Sequence, residues 1–212
     1  MTIEKAQKLK DYLQKLESVV VAFSGGVDSS FLAAAAYKVL GDKAIAVTAV
    51  SETLSETEKM EARKTAATIG IKHEEVWISE LEDPEFVANN GDRCYHCKHT
   101  RFGALTTWAK EHGYKWVIDG SNIDDLCDYR PGMKAIKELN GVCSPLLENG
   151  LAKEDIRSLS KVWGLPTWNK PSAACLASRV VYGQPITPEN LGQIEQAERI
   201  VRQYAAGQVR VR

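Results

Sequence analysis

A glycine-containing turn between an apolar run and an alanine-rich stretch constrains the fold of this chain more than any other feature. Residues 18–23 are mostly apolar and rich in valine, which predicts a short buried strand. Residues 29–40 predict a helix that ends before Gly41. The turn between them reads Ser24-Gly25-Gly26-Val27-Asp28-Ser29. A strand, a glycine turn and a helix in this order present backbone N–H groups to an anion such as phosphate.

Each residue type in this turn suits a phosphate ligand. Gly25 and Gly26 let the backbone turn tightly and approach the ligand, and the hydroxyl groups of Ser24 and Ser29 can donate hydrogen bonds. Asp28 can hold Mg²⁺, which offsets phosphate charge. The turn lacks the Gly-Lys-Ser/Thr of a Walker A loop and the Gly-x-Gly-x-x-Gly of dinucleotide-binding folds. The alternative is a glycine turn that only packs a helix onto a strand.

Strand-like and helix-like segments alternate along most of the chain. This alternation predicts the α/β class, with right-handed crossovers, an open parallel sheet and helices on both of its faces. In such sheets ligands bind at the carboxyl ends of the strands, so we expect one site built from residues 24–29 and from Gly120 onward. The predicted strands cover residues 44–50, 72–78, 116–119 and 207–212, and the predicted helices cover residues 55–70, 100–111, 153–162 and 191–204.

The length of 212 residues fits one main domain and a smaller remainder. We place the main domain at residues 1–165 and a second segment at residues 166–212. Because the chain stops within a strand-like alternation, we expect the second segment to be the beginning of an incomplete C-terminal domain.

Composition excludes several classes of function. With 27 basic and 28 acidic residues, the net charge of −1 provides no broad attraction for nucleic acid or membranes. No apolar run approaches the roughly 20 residues needed to span a bilayer, and no signal peptide is evident. Five cysteines without an export signal favour metal or thiol chemistry over disulfides, and a cytoplasmic location.

Residues 24–29 are similar to the loop of PP-loop ATP pyrophosphatases, which cleave ATP between its α- and β-phosphates and adenylate a substrate. Further segments resemble those of one family of that group, the LarE family of ATP-dependent sulfur transferases, and occur in the same order along the chain. The resemblance runs from about Ser18 to the last residue. These segments are Asp119-Gly120-Ser121-Asn122-Ile123-Asp124-Asp125, Asp128-Tyr129-Arg130-Pro131-Gly132, Trp168-Asn169-Lys170-Pro171, Cys175-Leu176-Ala177-Ser178-Arg179 and Val209-Arg210-Val211-Arg212. The family matures the nickel-pincer nucleotide cofactor of lactate racemase.

The resemblance implies a specific reaction. A carboxylate of a pyridinium dicarboxylate mononucleotide is adenylated with release of pyrophosphate, and is then converted to a thiocarboxylate. ATP, Mg²⁺ and a small-molecule nucleotide are the implied ligands. The resemblance also implies a homo-oligomer, with nickel-insertion and carboxylase enzymes of the same pathway as partners.

The resemblance assigns roles both to residues of the glycine turn and to residues outside it. The nucleotide-binding set comprises Ser24, Gly25, Gly26, Asp28, Ser29, Gly120 and Arg179. Glu198, Arg210 and Arg212 correspond to residues at the substrate phosphate. From spacing alone, the two alternating arginines would be the solvated face of an edge strand, and Arg179 would pair with an acid. The family also has a C-terminal region beyond this arginine-rich strand.

Three cysteines are candidates for the source of sulfur. Some family members give up the sulfur of one cysteine, and others hold an iron–sulfur cluster with three. Cys94-Tyr95-His96-Cys97 together with Cys175, four residues before Arg179, favours the second type. Three thiolates can hold three irons of a 4Fe-4S cluster and leave the fourth iron open to an extra sulfide. Alternatives for Cys94 and Cys97 are a zinc site with a nearby histidine, a redox pair or inert thiols.

Three other functions share parts of this pattern. A PP-loop tRNA thiolase would need a basic, aromatic-rich surface, which the composition does not indicate. An ammonia-using synthetase would take ammonia from a glutaminase domain, of which the sequence shows no sign, or from solution. A non-catalytic nucleotide-binding module would need neither Asp28 nor the three cysteines.

Overall fold

The computed structural model of the protein describes residues 2–127, 131–205 and 207–212. Within these residues a parallel sheet of five strands has the order β3-β2-β1-β4-β5, which confirms the predicted open parallel sheet. The strands are β1 (Val19–Ala22), β2 (Ala44–Val50), β3 (Lys72–Trp77), β4 (Trp116–Ile118) and β5 (Val142–Cys143).

Helices cover both faces of the sheet, as predicted. They are α1 (Thr2–Leu16), α2 (Val27–Leu40), α3 (Glu56–Ile69), α4 (Pro84–Val87), α5 (Arg93–Glu111), α6 (Pro131–Glu138), α7 (Pro145–Glu148), α8 (Lys153–Val162) and α9 (Pro188–Val201). The central strand shows the two layers: Val19 and Val21 pack with residues of α1, α2 and α8, whereas Val20 packs with Phe102 and Leu105 of α5. None of the described helices has the length and apolarity required to cross a membrane.

The parallel pairing of β1 with β4 brings the two halves of the predicted site together. Val21 is in register with Ile118, so the residues that follow both strands emerge side by side at one edge of the sheet. Ser24 and Gly120 therefore lie near each other although almost a hundred residues separate them in the sequence. This edge is the carboxyl end of the sheet, where open α/β folds bind ligands.

Helix α3 begins and ends at the predicted residues. Ser55 and Glu58 form a capping box in which each side chain accepts a hydrogen bond from the other residue's backbone N–H, both at 3.3 Å. Gly70 ends the helix with a φ of 81°, a left-handed conformation that favours glycine. Because these signals are local, the sequence alone located the helix.

Two predicted elements differ from the structure. Helix α5 begins at Arg93 rather than near residue 100, so Cys94 and Cys97 lie in its first turns and not in a loop. The predicted strand at residues 207–212 is wrong, because these residues join no strand of the described sheet. Alternation gives a strand only where a neighbouring strand supplies hydrogen bonds. Here the Val211 N–H donates to the Glu198 carboxylate instead, at 3.2 Å.

His73 of β3 makes a buried polar contact with the neighbouring strand. The Thr48 hydroxyl donates to the Phe23 carbonyl at 2.9 Å and therefore accepts from His73 Nε2, 2.8 Å away. This assignment places a proton on Nε2 of the neutral ring. Burial lowers the pKa of His73.

The lowered pKa predicts a loss of stability at acidic pH. The unfolded chain binds a proton at His73 more readily than the folded chain, so the free energy of unfolding falls as pH drops below about 6.5. We expect urea unfolding midpoints to fall from pH 7.5 to pH 5.5, and to fall less in His73→Gln, which keeps an N–H donor. An equal fall in both proteins would assign the pH dependence to other groups.

Candidate functional site

The glycine turn forms a compact loop at the carboxyl end of β1. Gly25 has a φ of 65°, and a Cβ atom there would stand 2.8 Å from the Ala62 Cα of α3. Ser24 and Ser29 join the two ends of the loop, with their hydroxyl oxygens 3.1 Å apart and the Ser24 N–H donating to Ser29 Oγ at 3.3 Å. Gly26 precedes α2 and has no side chain to cap it, which leaves the first N–H groups of α2 available to an anion.

Gly120 packs directly against this loop. A Cβ atom at Gly120 would lie 3.1 Å from the Ser29 nitrogen and 3.2 Å from Asp28 Cβ. Only glycine allows this close approach without a shift of the loop. The structure thus places Gly120 beside the loop, as predicted.

Asp28 combines an ion pair with an unsatisfied oxygen. Its Oδ2 accepts a hydrogen bond from Lys153 Nζ, at the start of α8. Its Oδ1 is buried and has no hydrogen-bond partner among the residues that the structure describes. Burial raises the pKa of Asp28, against the opposing effect of Lys153. A buried carboxylate oxygen without a partner, beside a phosphate-binding loop, fits a Mg²⁺ ligand.

Two lysines that the sequence analysis did not assign lie at the loop. Lys153 pairs with Asp28. Lys170 Nζ donates to the Gly25 carbonyl at 2.9 Å and pairs with Glu61 at 2.8 Å. Lys170 belongs to the segment Trp168-Asn169-Lys170-Pro171, one of those on which the family resemblance rests. That resemblance indicated that the segment matters for function, but not that Lys170 contacts the glycine loop. No local pattern pointed to Lys153.

The acidic residues after β4 cap the local backbone. The Asp124 N–H donates to Asn122 Oδ1 at 3.0 Å, and Asp124 Oδ2 accepts from the Lys153 N–H at 2.8 Å. The Asn122 N–H donates to Asp125 Oδ2 at 3.0 Å. These are turn and helix-cap contacts. Residues 128–130, part of the next segment of the resemblance, lie outside the described residues.

A cavity of about 400 Å³ opens at this edge of the sheet. One wall is the glycine loop and the residues after β4, and another is apolar. Helix α5 supplies the third wall, with two thiols and two cations. The lining includes Ser24, Asp28, Gly120, Cys94, Cys97, Lys98 and Arg101. The cavity thus contains both a phosphate-binding loop and cysteine thiols.

The three candidate cysteines converge from two segments. Cys94 is exposed and Cys97 half-buried, one turn apart on α5. Cys175, also half-buried, packs with Cys97 against the apolar cluster that contains Phe86 and Leu176. The structure therefore brings Cys97 and Cys175 together, with Cys94 at the adjacent cavity.

The Cys97 thiol contacts a buried acid. The Cys97 thiol donates to Glu80 Oε1 at 3.5 Å, and burial raises the pKa of Cys97 to about 12. Within the described ranges, no group of three or more His, Cys, Asp or Glu side chains is arranged to hold a metal ion. The donor types suit a cluster or zinc, but their positions here are not those of a formed metal site.

A second cavity, of about 320 Å³, contains arginines around a buried carboxylate. Arg179 is buried and donates to both oxygens of Glu198, at 2.7 and 3.3 Å. Its Nη1 donates to the carbonyls of Ala174 and Cys175, at 2.6 and 3.1 Å. Arg179 therefore pairs with an acid, which was the alternative prediction, and also supports the backbone at Cys175.

Glu198 accepts two further hydrogen bonds. It accepts from Arg202 at 3.1 Å and from the Val211 N–H at 3.2 Å. Arg210 lines the cavity with Arg179 and Glu198, whereas Arg212 is exposed and is not among the lining residues. Of the three residues predicted for the substrate phosphate, Glu198 and Arg210 thus lie in one cavity, together with Arg179 from the predicted nucleotide-binding set.

The arginine-lined cavity lies next to a third cavity, and one short segment lines both. The third cavity, of about 390 Å³, lies over the glycine loop, Asp28 and Lys153. Residues 170–173 line both this cavity and the arginine-lined one. The glycine loop and the arginine cluster are therefore neighbours across that segment.

Comparisons with known proteins agree with this geometry. The NAD synthase family model matches residues 2–92. An uncharacterized protein of Synechocystis sp. is 44% identical over 100% of this chain and 79% of its own length. Pyridinium-3,5-bisthiocarboxylic acid mononucleotide synthase of Lactiplantibacillus plantarum is 36% identical over 94% of this chain and 72% of its own length. The structure of NMN synthetase from Francisella tularensis has a TM-score of 0.65 with 18% identity, covering 98% of both chains, and shares the fold.

Identity of this degree over nearly the whole chain, together with a PP-loop at the carboxyl end of a parallel sheet, confirms the resemblance read from the sequence. The chain therefore belongs to the LarE family of ATP-dependent sulfur transferases, the family of the L. plantarum synthase, within the PP-loop superfamily.

Proposed function

We propose that this enzyme adenylates a carboxylate of a pyridinium dicarboxylate mononucleotide and converts it to a thiocarboxylate during nickel-pincer cofactor synthesis. The L. plantarum relative is named for a pyridinium bisthiocarboxylic acid mononucleotide, which this chemistry gives when it takes place once at each of the two carboxylates. One observation carries the proposal: the glycine loop and the thiols of Cys94 and Cys97 line the same cavity. Activation and sulfur transfer can then act on one carboxyl group without its leaving the site.

The first half-reaction uses the glycine loop. We assign the ATP phosphates to Ser24, Gly25, Gly26, Ser29 and Gly120. A carboxylate oxygen attacks the α-phosphorus, the bond to the β-phosphate breaks, and pyrophosphate leaves. Asp28 would hold Mg²⁺ through its unpartnered Oδ1, and the ion would offset the charge that develops on the leaving pyrophosphate.

The second half-reaction needs a sulfur nucleophile. Sulfur attacks the activated carbonyl carbon, and AMP leaves with the electron pair of the carbon–oxygen bond. Cys94, Cys97 and Cys175 would hold a 4Fe-4S cluster, which supplies an exchangeable sulfide at its fourth iron when bound. Cys94 and Cys97 line the nucleotide cavity, and Cys97 and Cys175 pack against one apolar cluster, which supports this role. Zinc at the same cysteines is the alternative.

The substrate phosphate is assigned to the arginine-lined cavity. Arg210, which lines the cavity, and Arg212, which lies close to Arg210 in the sequence, would bind it. Glu198 would hold the guanidinium groups of Arg179 and Arg202 in place beside them. Residues 166–212 would then form a substrate and sulfur segment distinct from residues 1–165. The homo-oligomer, the nickel-insertion and carboxylase partners and the cytoplasmic location remain predictions.

Mass spectrometry of the nucleotide tests the reaction directly. We expect the pyridinium dicarboxylate mononucleotide, incubated anaerobically with ATP and the enzyme, to exchange one oxygen for one sulfur while AMP and pyrophosphate accumulate. Omitting ATP is the control. Unchanged nucleotide, or AMP production only with tRNA or only with ammonia, would contradict the proposal in favour of a tRNA thiolase or an ammonia-using synthetase.

The metal content tests the sulfur source separately. Anaerobically purified enzyme should be brown, and replacement of Cys94, Cys97 or Cys175 by serine should remove the colour. Cys143→Ser is the matched control, because this half-buried thiol packs in another part of the core. A colourless protein that contains zinc would contradict the cluster and leave the adenylation proposal intact.

A further inference from the structure

Arg101 lies in the nucleotide cavity, one turn after Cys97 on α5. Its guanidinium group is held by a buried acid and two hydroxyl groups. Nε donates to Glu80 Oε1 at 2.5 Å, and Nη2 donates to Ser51 Oγ at 3.0 Å and to Thr53 Oγ1 at 2.8 Å. These contacts fix one side of the planar group relative to the end of β2.

The remaining donors of Arg101 are unused. A guanidinium group has five N–H bonds, of which Nε and Nη2 together carry three. The three contacts above account for those three. For the two N–H bonds of Nη1, no acceptor is found in the part of the chain that the structure describes. An ionised group that lines a cavity with two unused donors is suited to an anion.

The position of Arg101 points to a carboxylate rather than to the ATP phosphates. The proposed function assigns the phosphates to the glycine loop, and Lys153 and Lys170 line a cavity over that loop which Arg101 does not reach. Adenine is neutral and needs no guanidinium group. Arg101 instead shares its acid with Cys97, because the Cys97 thiol and Arg101 Nε both donate to Glu80 Oε1. Sulfur transfer requires the substrate carboxyl group to come close to this place.

The same contacts tie the cysteine-bearing segments together. Arg101 holds Thr53, and the Thr53 carbonyl accepts from the N–H of Leu176, the residue after Cys175. Glu80 is fully buried and balances the charge of the guanidinium group. The site is therefore built around a fixed cation rather than a mobile surface arginine.

We propose that Nη1 of Arg101 binds a ring carboxylate of the pyridinium substrate and holds it between the thiols and the glycine loop. This inference rests on the proposed function and deepens it, because it names the residue that recognises the dicarboxylate. Arg101 is then a substrate-binding residue, and Glu80, Ser51 and Thr53 position it.

Steady-state kinetics of pyrophosphate release test the proposal. In Arg101→Gln we expect the KM for the pyridinium dicarboxylate mononucleotide to rise about tenfold or more, since a hydrogen bond to a charged group is lost. The KM for ATP should stay within about twofold, because the proposal gives Arg101 to the substrate carboxylate and the ATP phosphates to the glycine loop. Arg101→Lys keeps the charge without the planar fork, so it should recover part of the affinity. Arg63→Gln, which removes an arginine that pairs with Glu75 outside the cavity, should change neither constant.

The outcomes separate this inference from the proposed function. If the wild-type enzyme releases pyrophosphate with the dicarboxylate and Arg101→Gln has an unchanged KM for it, Arg101 is not the binding residue and the function stands. An equal rise in both KM values would show a structural role and would also overturn the inference. No release by the wild-type enzyme would overturn the proposed function and this inference with it. If Arg101→Gln does not fold, Arg101→Lys decides on the same two constants.

Discussion

Replacing Asp28 by asparagine is expected to lower ATP-dependent pyrophosphate release by about a thousandfold. The amide cannot neutralise a metal–phosphate complex, and it leaves Lys153 without its counter-ion. The change keeps the size of the side chain, so the loop backbone and its contacts with Gly120 stay in place. Pyrophosphate release at saturating ATP and substrate, followed with a coupled assay, measures the effect.

Asp42→Asn is the matched control. Asp42 is exposed at the far end of α2. Its substitution makes the same chemical change without touching the site. We expect it to retain wild-type activity. Unimpaired release by the Asp28 variant would remove this residue from the site, and an equal loss in both variants would show an effect of net charge rather than of position.

Replacing Gly25 by alanine is expected to disrupt the loop itself. An alanine with a φ of 65° is strained, and its Cβ would stand 2.8 Å from the backbone of Ala62 in α3. Left-handed strain and overpacking together should lower the free energy of unfolding by about 3 kcal/mol. The added Cβ atom would force the glycine loop away from α3. Because this displaces the loop backbone, ATP affinity should also fall about tenfold or more. Urea denaturation and calorimetric titration with ATP measure the two effects.

Gly113→Ala separates strain from collision. Gly113 has a φ of 77°, but a Cβ atom added there would meet no other atom within 4 Å. Alanine at this position should therefore lower the free energy of unfolding by only about 1 kcal/mol and leave ATP binding unchanged. If the two variants lose equal stability, the contact with Ala62 contributes nothing. If Gly25→Ala binds ATP like the wild type, the loop tolerates displacement, and its close packing on α3 is not needed for binding.

Local signals accounted for most of the fold. The valine-rich β1, the glycine turn and the capping box at Ser55 each determine structure through neighbours in the sequence, and each was predicted at its observed place. Gly120 was also predicted beside the loop, because parallel strands end at a common edge. The start of α5 was misplaced, since Gly91-Asp92 before it resembles a loop and its first turns are polar.

Contacts between distant segments could not be predicted in the same way. Lys153 and Lys170 reach the loop across more than a hundred residues, and their own surroundings in the sequence are those of ordinary surface lysines. The network of Arg101 with Glu80, Ser51 and Thr53 depends equally on how α5 packs over the end of β2. Charged pairs of this kind follow from the fold and carry no periodic pattern of their own.

The ion pair between Asp28 and Lys153 also affects the first encounter with nucleotide. A bare carboxylate at the mouth of a phosphate site would repel the several negative charges of ATP before any contact formed. The ammonium group of Lys153 offsets the Asp28 charge, and it does so from α8, which packs against α2. The Asp28–Lys153 pair thus adds no net charge of its own to the surface that a highly charged ligand meets first.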